Sequence, residues 1–424
     1  MVSLSEHAFP TSSSQSWLAH PPLEPSRASA FPQTLVAGLL SIFVFALPTD
    51  LHPLGGISVT LPVGSLCIVL GVLGIMKSRT TVVPTFGVWC LLAFVVWSTF
   101  SLAWAEYPDT TMQKLIKYWE YLPMTWVITQ YVWDRRIRIR LFDAYLAGCW
   151  LGVLGTLFNY AIGNEFYIPG ADAIEQEKRY SFSTDVNYLA LALVIGVIIA
   201  LYRIYSDRTW WKQILFLLYI PAAFLAIALT GSRGALLALV GAIVTFAIVT
   251  DMRKRIAIIV GTIALLTLIS VLPPSVTWRL STTSNEISHG DLDGRAGLWQ
   301  HGMILVEEHP LVGVGVGGTF GALDYAAHNT PLELLIEGGV VSLVLFYVGV
   351  SYSVYCVWKI AGQEGTALVV ICAAWLVGTL SISWDANPNT WFIFSMLLSA
   401  GRAQRAVRVS SGVRRAHNVV RSAQ

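Results

Sequence analysis

Charged residues are scarce in this chain of 424 residues. They make up 12% of the sequence, against 55% hydrophobic residues, whereas a soluble domain typically carries about 25% charged residues. So few charged side chains cannot cover the surface of a soluble globular protein. Much of the surface of this protein must therefore face lipid. The composition excludes an ordinary soluble domain and predicts a membrane protein.

Two kinds of motif are also absent. The five cysteines lie inside apolar runs without a C-x-x-C or Cys/His spacing, which argues against a disulfide framework and a zinc site. Segment 1–33 is rich in Ser and Pro and lacks the basic start and apolar core of a cleaved signal peptide. We interpret the cysteines as packing residues and segment 1–33 as a cytoplasmic tail.

Apolar runs of about the length of a membrane span recur along the chain. A bilayer core about 30 Å thick takes roughly 20 residues as helix. The sequence therefore predicts an all-α polytopic membrane protein with about 12 transmembrane helices. The predicted spans are 34–50, 57–76, 82–104, 114–133, 141–162, 187–205, 213–230, 235–251, 256–272, 332–358, 366–383 and 390–401.

The positions of Lys and Arg orient these spans. If segment 1–33 is cytoplasmic, most of the 27 Lys and Arg residues fall on inner connections, and this bias fixes orientation during insertion. Both termini are then cytoplasmic, and we interpret the basic tail 402–424 as an anchor to anionic lipid rather than a nucleic-acid site. Nine spans occupy 34–272, three occupy 332–401, and the long outer loop is 273–331.

The outer loop contains the stretch VGVGVGGTF, with a G-x-G-x-x-G pattern at Gly313, Gly315 and Gly318. A dinucleotide-binding fingerprint would follow a strand of a βαβ unit. This one follows His309 and Pro310 on the outer side, where no dinucleotide pool is expected. We interpret it as a turn whose glycines allow tight backbone approach, and we predict no dinucleotide and no cofactor.

A surface helix is predicted at 294–308 in the same loop. Its apolar face would consist of Leu298, Leu305 and either Trp299 or Met303, which is the pattern of a helix lying across a membrane surface.

Arg295 lies in the first turn of that helix. Free N–H groups and the helix dipole favour an anion there, so a cation is disfavoured. The mismatch indicates a phosphate-binding role for Arg295, with an ordinary surface cation as the alternative. Asp291 and Asp293 form a D-x-D pattern that occurs at metal sites, but capping of the helix explains them, and we predict no metal.

Two further arginines oppose the orientation rule. Arg233 lies in TGSRGALLAL, within the four-residue turn 231–234 between two spans. Arg233 either binds an anion or is an interfacial anchor whose charged end extends to the lipid headgroups. Arg179 closes an acidic loop and either contacts a substrate or pairs with Glu175 or Glu177, an ion pair of little energetic weight.

His328 and Asn329 lie just before the tenth predicted span, in AAHNTPLELLIEGG. A neutral imidazole can accept a proton in a transition state. Glu333 and Glu337 follow one turn apart inside an apolar helix, where ionisable groups usually face a cavity or a partner. We interpret His328 as a general base whose ring Glu333 could orient, with a structural histidine as the alternative.

Three motifs in this order resemble the O-antigen ligase and polymerase superfamily: TGSRGALLAL, GRAGLWQHGMILVEEHPLVGVGVGGTF and HNTPLELLIEGG. The resemblance covers roughly residues 175–345. A ligase pattern fits His328, Asn329 and Gly339, whereas its last position, usually Gly, Thr or Tyr, is Ser342 here.

The resemblance implies a GT-C-like glycosyltransferase architecture in the bacterial inner membrane, with the active site facing the periplasm. The donor would be polysaccharide on undecaprenyl diphosphate, and the acceptor a sugar of lipid A–core oligosaccharide. His328 would be the catalytic base, and Arg295 and Arg233 would hold the diphosphate. Arg179, Asn329 and Glu333 would complete the substrate site, and the transfer would invert the anomeric centre without metal or nucleotide.

Other functions stay open from the sequence. An O-antigen polymerase or a protein O-oligosaccharyltransferase of the same superfamily shares the three motifs. A secondary transporter would show repeated halves with broken helices in matching positions. The sequence has no such symmetry, and the candidate residues cluster on the outer side rather than at mid-bilayer.

Overall fold

The structure is a computed structural model that describes residues 34–50, 58–78, 85–132, 134–166, 178–251, 261–263, 267, 295–358, 360 and 362–403, together with the backbone of 30–33. Regular structure in these ranges is helical, without a strand, and this confirms the predicted all-α class. We number the described helices in chain order. They are α1 (Ala30–Ala46), α2 (Thr60–Ser78), α3 (Phe86–Phe100), α4 (Pro108–Tyr131), α5 (Arg135–Ala161), α6 (Val186–Ser206), α7 (Trp210–Thr230), α8 (Arg233–Val249), α9 (Arg295–Glu308), α10 (Gly318–Leu323), α11 (Thr330–Trp358), α12 (Gln363–Gly378) and α13 (388–403).

Six of the described helices are long and apolar enough to cross a membrane, namely α2, α3 with the 3₁₀ turn after it, α5, α6, α7 and α11. Three more, the described part of α1, α8 and α12, are apolar but shorter. Each predicted span outside 256–272 contains a helix. The chain is therefore a polytopic membrane protein, and the number of 12 spans stays a prediction because most of 256–272 lies outside the described residues.

The helix ends follow from local sequence signals. Asp134 and Asp185 precede α5 and α6, and each carboxylate accepts a backbone N–H of the first turn, as N-cap residues do. Pro108 begins α4, where its missing N–H costs nothing. Gly231 ends α7 in the left-handed conformation with φ 62°, so the chain can turn directly into α8.

One end of the bundle gathers the connections that the sequence places inside. Arg203 is 2% exposed and contacts Asp143 and Asp207, each at 2.6 Å. Burial alone would raise the pKa of the Asp207 carboxyl, but hydrogen bonds from Thr209 and the nearby cations Arg203 and Lys212 lower it to about 2.

The same end carries further arginines of the predicted inner connections. Arg138 contacts Glu364 at 2.6 Å, and Arg402 donates to the Thr129 carbonyl and to Gln130. The turn between α7 and α8 and the start of α11 lie at the opposite end, with the predicted outer connections. This alternation is the arrangement that the charge bias predicts.

A helix is present at the predicted position 294–308, as α9 (Arg295–Glu308), and its place across a membrane surface stays a prediction. Trp299, Leu305 and Val306 pack on a small core cluster that includes Leu332 and Ile336 of α11. Met303 is 45% exposed, so Trp299 rather than Met303 belongs to the buried face. The capping role of Asp291 or Asp293 lies outside the described residues.

Candidate functional site

Segment 379–387, between α12 and α13, joins the predicted site residues. The sequence predicts a span to residue 383, but α12 ends at Gly378, and this boundary is wrong. The reason is that the following backbone groups bond to other elements. Thr330 N–H donates to the Thr379 carbonyl at 2.8 Å, and Thr330 Oγ1 donates to the Ile382 carbonyl at 2.8 Å.

Arg295 is the first residue of α9, and it reaches this segment. Its Nη1 donates to the Ser381 carbonyl at 2.8 Å, and the residue is half-buried. The guanidinium group has five N–H donors in a planar fork. The Ser381 contact therefore fixes the guanidinium group against segment 379–387.

Arg233 is the first residue of α8, and the residue after it contacts the same serine. The next residue, Gly234, packs so closely on Ser381 that a Cβ there would overlap Ser381 Oγ. Ser232 caps α8 by accepting the Ala235 N–H at 3.4 Å. The turn of Arg233 and the first turn of α9 thus both contact Ser381, although Arg233 and Arg295 are far apart in the chain.

His328 is held between α9 and segment 379–387. Trp299 Nε1 of α9 donates to the Ala327 carbonyl at 2.9 Å, and Thr330 on the other side is tied to Thr379 and Ile382. His328 itself is half-buried and has φ 49°, in the left-handed region. Few non-glycine residues adopt this conformation, so the fixed neighbours determine where the imidazole lies.

Asn329 caps α11. Its Oδ1 accepts the Leu332 N–H at 3.0 Å, and its carbonyl accepts the Glu333 N–H at 2.9 Å. The sequence predicts a substrate contact for Asn329, and the structure gives it this capping contact next to His328.

Glu333 is 7% exposed, and its carboxylate accepts from Lys114 Nζ at 2.7 Å and from Ser383 Oγ. The predicted role in orienting His328 stays a prediction. Glu337 and Asp385 also contact Lys114, and the three carboxylates lie close enough together to hold a cation. The ammonium group of Lys114 already lies among them.

Arg179 is 8% exposed, whereas the arginine of a solvated ion pair would be exposed. Its Nε donates to the Thr230 carbonyl at 2.8 Å, and its Nη2 donates to Asn187 at 3.1 Å. Tyr180 N–H donates to the Leu229 carbonyl. Arg179 therefore ties the end of α7 to the start of α6, immediately before the turn of Arg233. Its proposed partners Glu175 and Glu177 lie outside the described residues.

The glycine-rich stretch lies in a break of α11. Gly339 interrupts this helix with φ 65° and ψ −168°, which frees carbonyl groups that an unbroken helix would satisfy. Val314 N–H donates to the Ile336 carbonyl at 2.9 Å, and Gly315 N–H donates to the Glu337 carbonyl at 3.0 Å. Inside a membrane protein such groups need internal partners, and the stretch supplies them.

Glycine is required for this contact at two positions. Gly313 has φ 64°, and a Cβ there would overlap the Glu337 carbonyl. A Cβ at Gly339 would overlap the Leu311 carbonyl. The interpretation of the G-x-G-x-x-G pattern as a site of tight backbone approach is confirmed, and the pattern fixes the helical half 330–338 that carries Glu333 and Glu337.

Sequence reasoning missed Lys114, Asp385 and segment 379–387. Lys114 carried a usable signal, since it is a cation on a predicted outer connection and opposes the charge bias as Arg233 and Arg295 do. Asp385 lies in the polar stretch between the last two predicted spans, which was too short to single out.

Residues 215–347 match the family model described as O-antigen ligase. This region includes Arg233, Arg295 and His328, and it leaves out Lys114, Arg179 and Asp385. No curated protein sequence matches the chain.

Proposed function

Residues 215–347 match the O-antigen ligase family model, and on that premise we propose that the chain is an O-antigen ligase. It transfers polysaccharide from undecaprenyl diphosphate to a sugar hydroxyl of lipid A–core oligosaccharide. The reaction takes place on the periplasmic side of the bacterial inner membrane, with both termini of the chain in the cytoplasm and a GT-C-like arrangement of helices. An O-antigen polymerase or a protein O-oligosaccharyltransferase is the alternative within the superfamily.

The convergence of three residues on one segment carries this proposal. Arg295 and the turn of Arg233 contact Ser381, and His328 is tied to the same segment through Thr330. Two cations and one imidazole are the groups that a transfer from a lipid diphosphate requires. The cations bind the departing diphosphate, and the imidazole takes up the proton of the acceptor.

The two arginines occupy positions that favour an anion. Each is the first residue of its helix, where free N–H groups point outward and the dipole opposes a cation. A bound diphosphate relieves this mismatch. Guanidinium groups also give phosphate oxygens paired, permanently charged donors. Such donors stabilise the charge that develops on the leaving group, and this stabilisation usually lowers the reaction barrier more than any other effect.

The bonds and charges balance without ATP or metal. The acceptor oxygen attacks the anomeric carbon of the donor sugar from the side opposite the phosphate. The new C–O bond forms as the bond to the diphosphate breaks, and undecaprenyl diphosphate leaves with the electron pair. His328 accepts the proton of the acceptor hydroxyl. The anomeric configuration inverts, and the broken bond between the sugar and the diphosphate supplies the energy.

The remaining predicted residues support these three. Arg179 fixes the end of α7 before the turn of Arg233, and Asn329 fixes the start of α11 after His328. Glu333 holds Ser383, close to the residue that contacts Arg295. We propose that these residues line the donor and acceptor site and orient its reacting groups.

Helix lengths favour a lipid-linked donor. α8 has 17 residues and α12 has 16. At about 1.5 Å per residue these helices are roughly 25 Å long, less than the roughly 30 Å of a bilayer core. Because each has one end at segment 379–387, we propose that the site is recessed below the outer surface of the bundle. A diphosphate anchored by its lipid in the membrane can reach such a site.

The lipopolysaccharide of a strain that lacks the protein tests the proposal. Loss of a ligase leaves full-length polysaccharide on undecaprenyl diphosphate and lipid A–core without polymer. The wild-type gene should restore the ladder of polymer-bearing lipopolysaccharide, whereas the His328→Ala gene should not. Core carrying at most one repeat would identify a polymerase instead, and an unchanged ladder would contradict both.

A further inference from the structure

Lys114 holds the cluster beneath the proposed site together. Its Nζ lies 2.7 Å from Glu333 Oε1, 2.8 Å from Glu337 Oε2 and 2.9 Å from Asp385 Oδ2. Its side chain is only 12% exposed. Three carboxylates from two separate elements, α11 and segment 379–387, thus meet at one ammonium group on α4.

The ammonium group is fully engaged. A lysine has three N–H donors and no acceptor, and each donor has a carboxylate within hydrogen-bond distance. No donor is left for a phosphate. Lys114 therefore acts through the carboxylates rather than on a substrate.

Charge makes the cluster sensitive to the loss of Lys114. Three acidic side chains face one ammonium group in a buried site, and removing the ammonium leaves their negative charge without a cation to offset it. Glu333 and Glu337 belong to the first half of α11, which begins two residues after His328. Asp385 belongs to segment 379–387, in which the Ser381 carbonyl accepts a hydrogen bond from Arg295. Repulsion would push these two elements apart.

Two hydroxyl groups connect the cluster to its surroundings. Tyr118 OH, one turn after Lys114 on α4, donates to Asp385, and Ser383 Oγ donates to Glu333. Tyr188 OH of α6 donates to the Ser383 carbonyl at 2.8 Å. The position of segment 379–387 is therefore set from α4, α6 and α11 at once.

We propose that Lys114 is the positioning residue of the site: by neutralising Glu333, Glu337 and Asp385 it holds α11 against segment 379–387, and thereby places His328 opposite Arg295. This inference rests on the proposed glycan transfer. It predicts a defect in the chemical step rather than in donor binding, because an error of about 1 Å in the placement of reacting groups can cost on the order of 10²-fold in rate.

Purified variants with a lipid-linked donor and lipid A–core test the inference. Lys114→Gln should lower kcat about 10- to 100-fold and change the KM for the donor less than about threefold. Lys117→Gln is the matched control, since Lys117 is an exposed lysine of the same helix and its loss should leave kcat unchanged. A kcat for Lys114→Gln equal to that of the wild type would overturn the inference.

Charge balance gives a second, sharper readout. Glu337→Gln alone should not raise kcat, but in the Lys114→Gln background it removes one of the three acidic groups that Lys114 neutralises and should recover part of the loss. Such non-additivity is expected of residues in one network. A double variant no faster than Lys114→Gln would contradict the electrostatic role and point to packing alone.

Two milder variants decide the question if Lys114→Gln does not fold. Tyr118→Phe and Ser383→Ala each remove one hydroxyl that donates to the cluster, and both should lower kcat several-fold at unchanged KM. Wild-type kcat in both would overturn the inference. Absence of transfer by the wild-type protein would instead refute the proposed function, so the two failures are distinguishable.

Discussion

At the scale of single residues, the site depends on where two arginines begin their helices. Arg233 and Arg295 each occupy the first helical position, which is a poor place for a cation unless an anion binds beside it. Arg295 contacts Ser381, and so does Gly234, the residue after Arg233. A diphosphate bound by these arginines explains why two cations lie on the predicted outer side.

Replacing these arginines by lysine tests the geometry of their fork. Lysine keeps the charge but offers a point charge without paired donors. Arg233→Lys and Arg295→Lys should therefore insert and fold normally yet lose most glycan transfer, measured on purified protein. Arg140→Lys, at an exposed arginine of the opposite end, is the control and should transfer normally. Near-normal transfer by both test variants would reduce Arg233 and Arg295 to generic cations.

Sequence analysis finds functional residues that are unusual within their own motif, such as a cation on a predicted outer connection. It misses residues whose role depends on partners far away in the chain. Arg233, Arg295 and His328 are each conspicuous in their own motif. Lys114 acquires its role only through Glu333, which lies 219 residues further along the chain. Asp385 lies even further along the chain, and no local pattern relates these positions. Long-range pairing of this kind is set by packing, and packing cannot be read from hydropathy.

At the scale of secondary-structure elements, the glycine-rich stretch and the break in α11 form one unit. The stretch donates to the carbonyls of Ile336 and Glu337, and Trp97 Nε1 donates to the Gly338 carbonyl at 3.0 Å. Together they hold the half-helix 330–338 at the site. Hydropathy predicts a single span at 332–358 and does not place the break, which falls at the adjacent glycines Gly338 and Gly339.

Glycine-to-alanine substitutions test this unit. Gly313→Ala and Gly339→Ala place a Cβ on a carbonyl at positive φ, and the left-handed conformation alone costs roughly 1–2 kcal/mol. Both variants should lower the midpoint of thermal unfolding in detergent and weaken glycan transfer. Gly297→Ala is the control, because a Cβ at Gly297 on α9 meets nothing within 4 Å. It should unfold at the wild-type temperature or above. Equal midpoints for all three variants would show that the stretch does not support α11.

At the scale of the whole molecule, the two ends of the bundle differ in chemistry. Arg138, Arg203 and Arg402 lie at one end, where carboxylates or carbonyls engage them. The candidate site lies at the other. The distribution of Lys and Arg predicts this division because it depends on the total number of cations on each side. Errors of a few residues at each helix end change that total little. The boundaries near residues 383 and 390 did need the structure.

Cysteine labelling in intact cells tests the orientation. Tyr325→Cys introduces a thiol at a residue 66% exposed near the site, and Arg136→Cys introduces one at an exposed residue of the opposite end. A membrane-impermeant reagent that reaches only the periplasm should label Tyr325→Cys. It should label Arg136→Cys only after the inner membrane is opened. The reverse pattern would place the site in the cytoplasm and would contradict the proposed reaction.

The transfer reaction itself tests the central claim most directly. Purified protein, a donor linked to undecaprenyl diphosphate and lipid A–core acceptor are mixed with a chelator present, and the wild type is compared with His328→Gln. Glutamine keeps a hydrogen-bonding group but cannot take the proton. The control is His301→Gln, at an exposed histidine of α9. We expect transfer by the wild type and the control, and a rate lower by about 10² to 10⁴ for His328→Gln with donor binding retained. Transfer by His328→Gln at the wild-type rate, or loss of wild-type transfer in the chelator, would contradict the proposed mechanism.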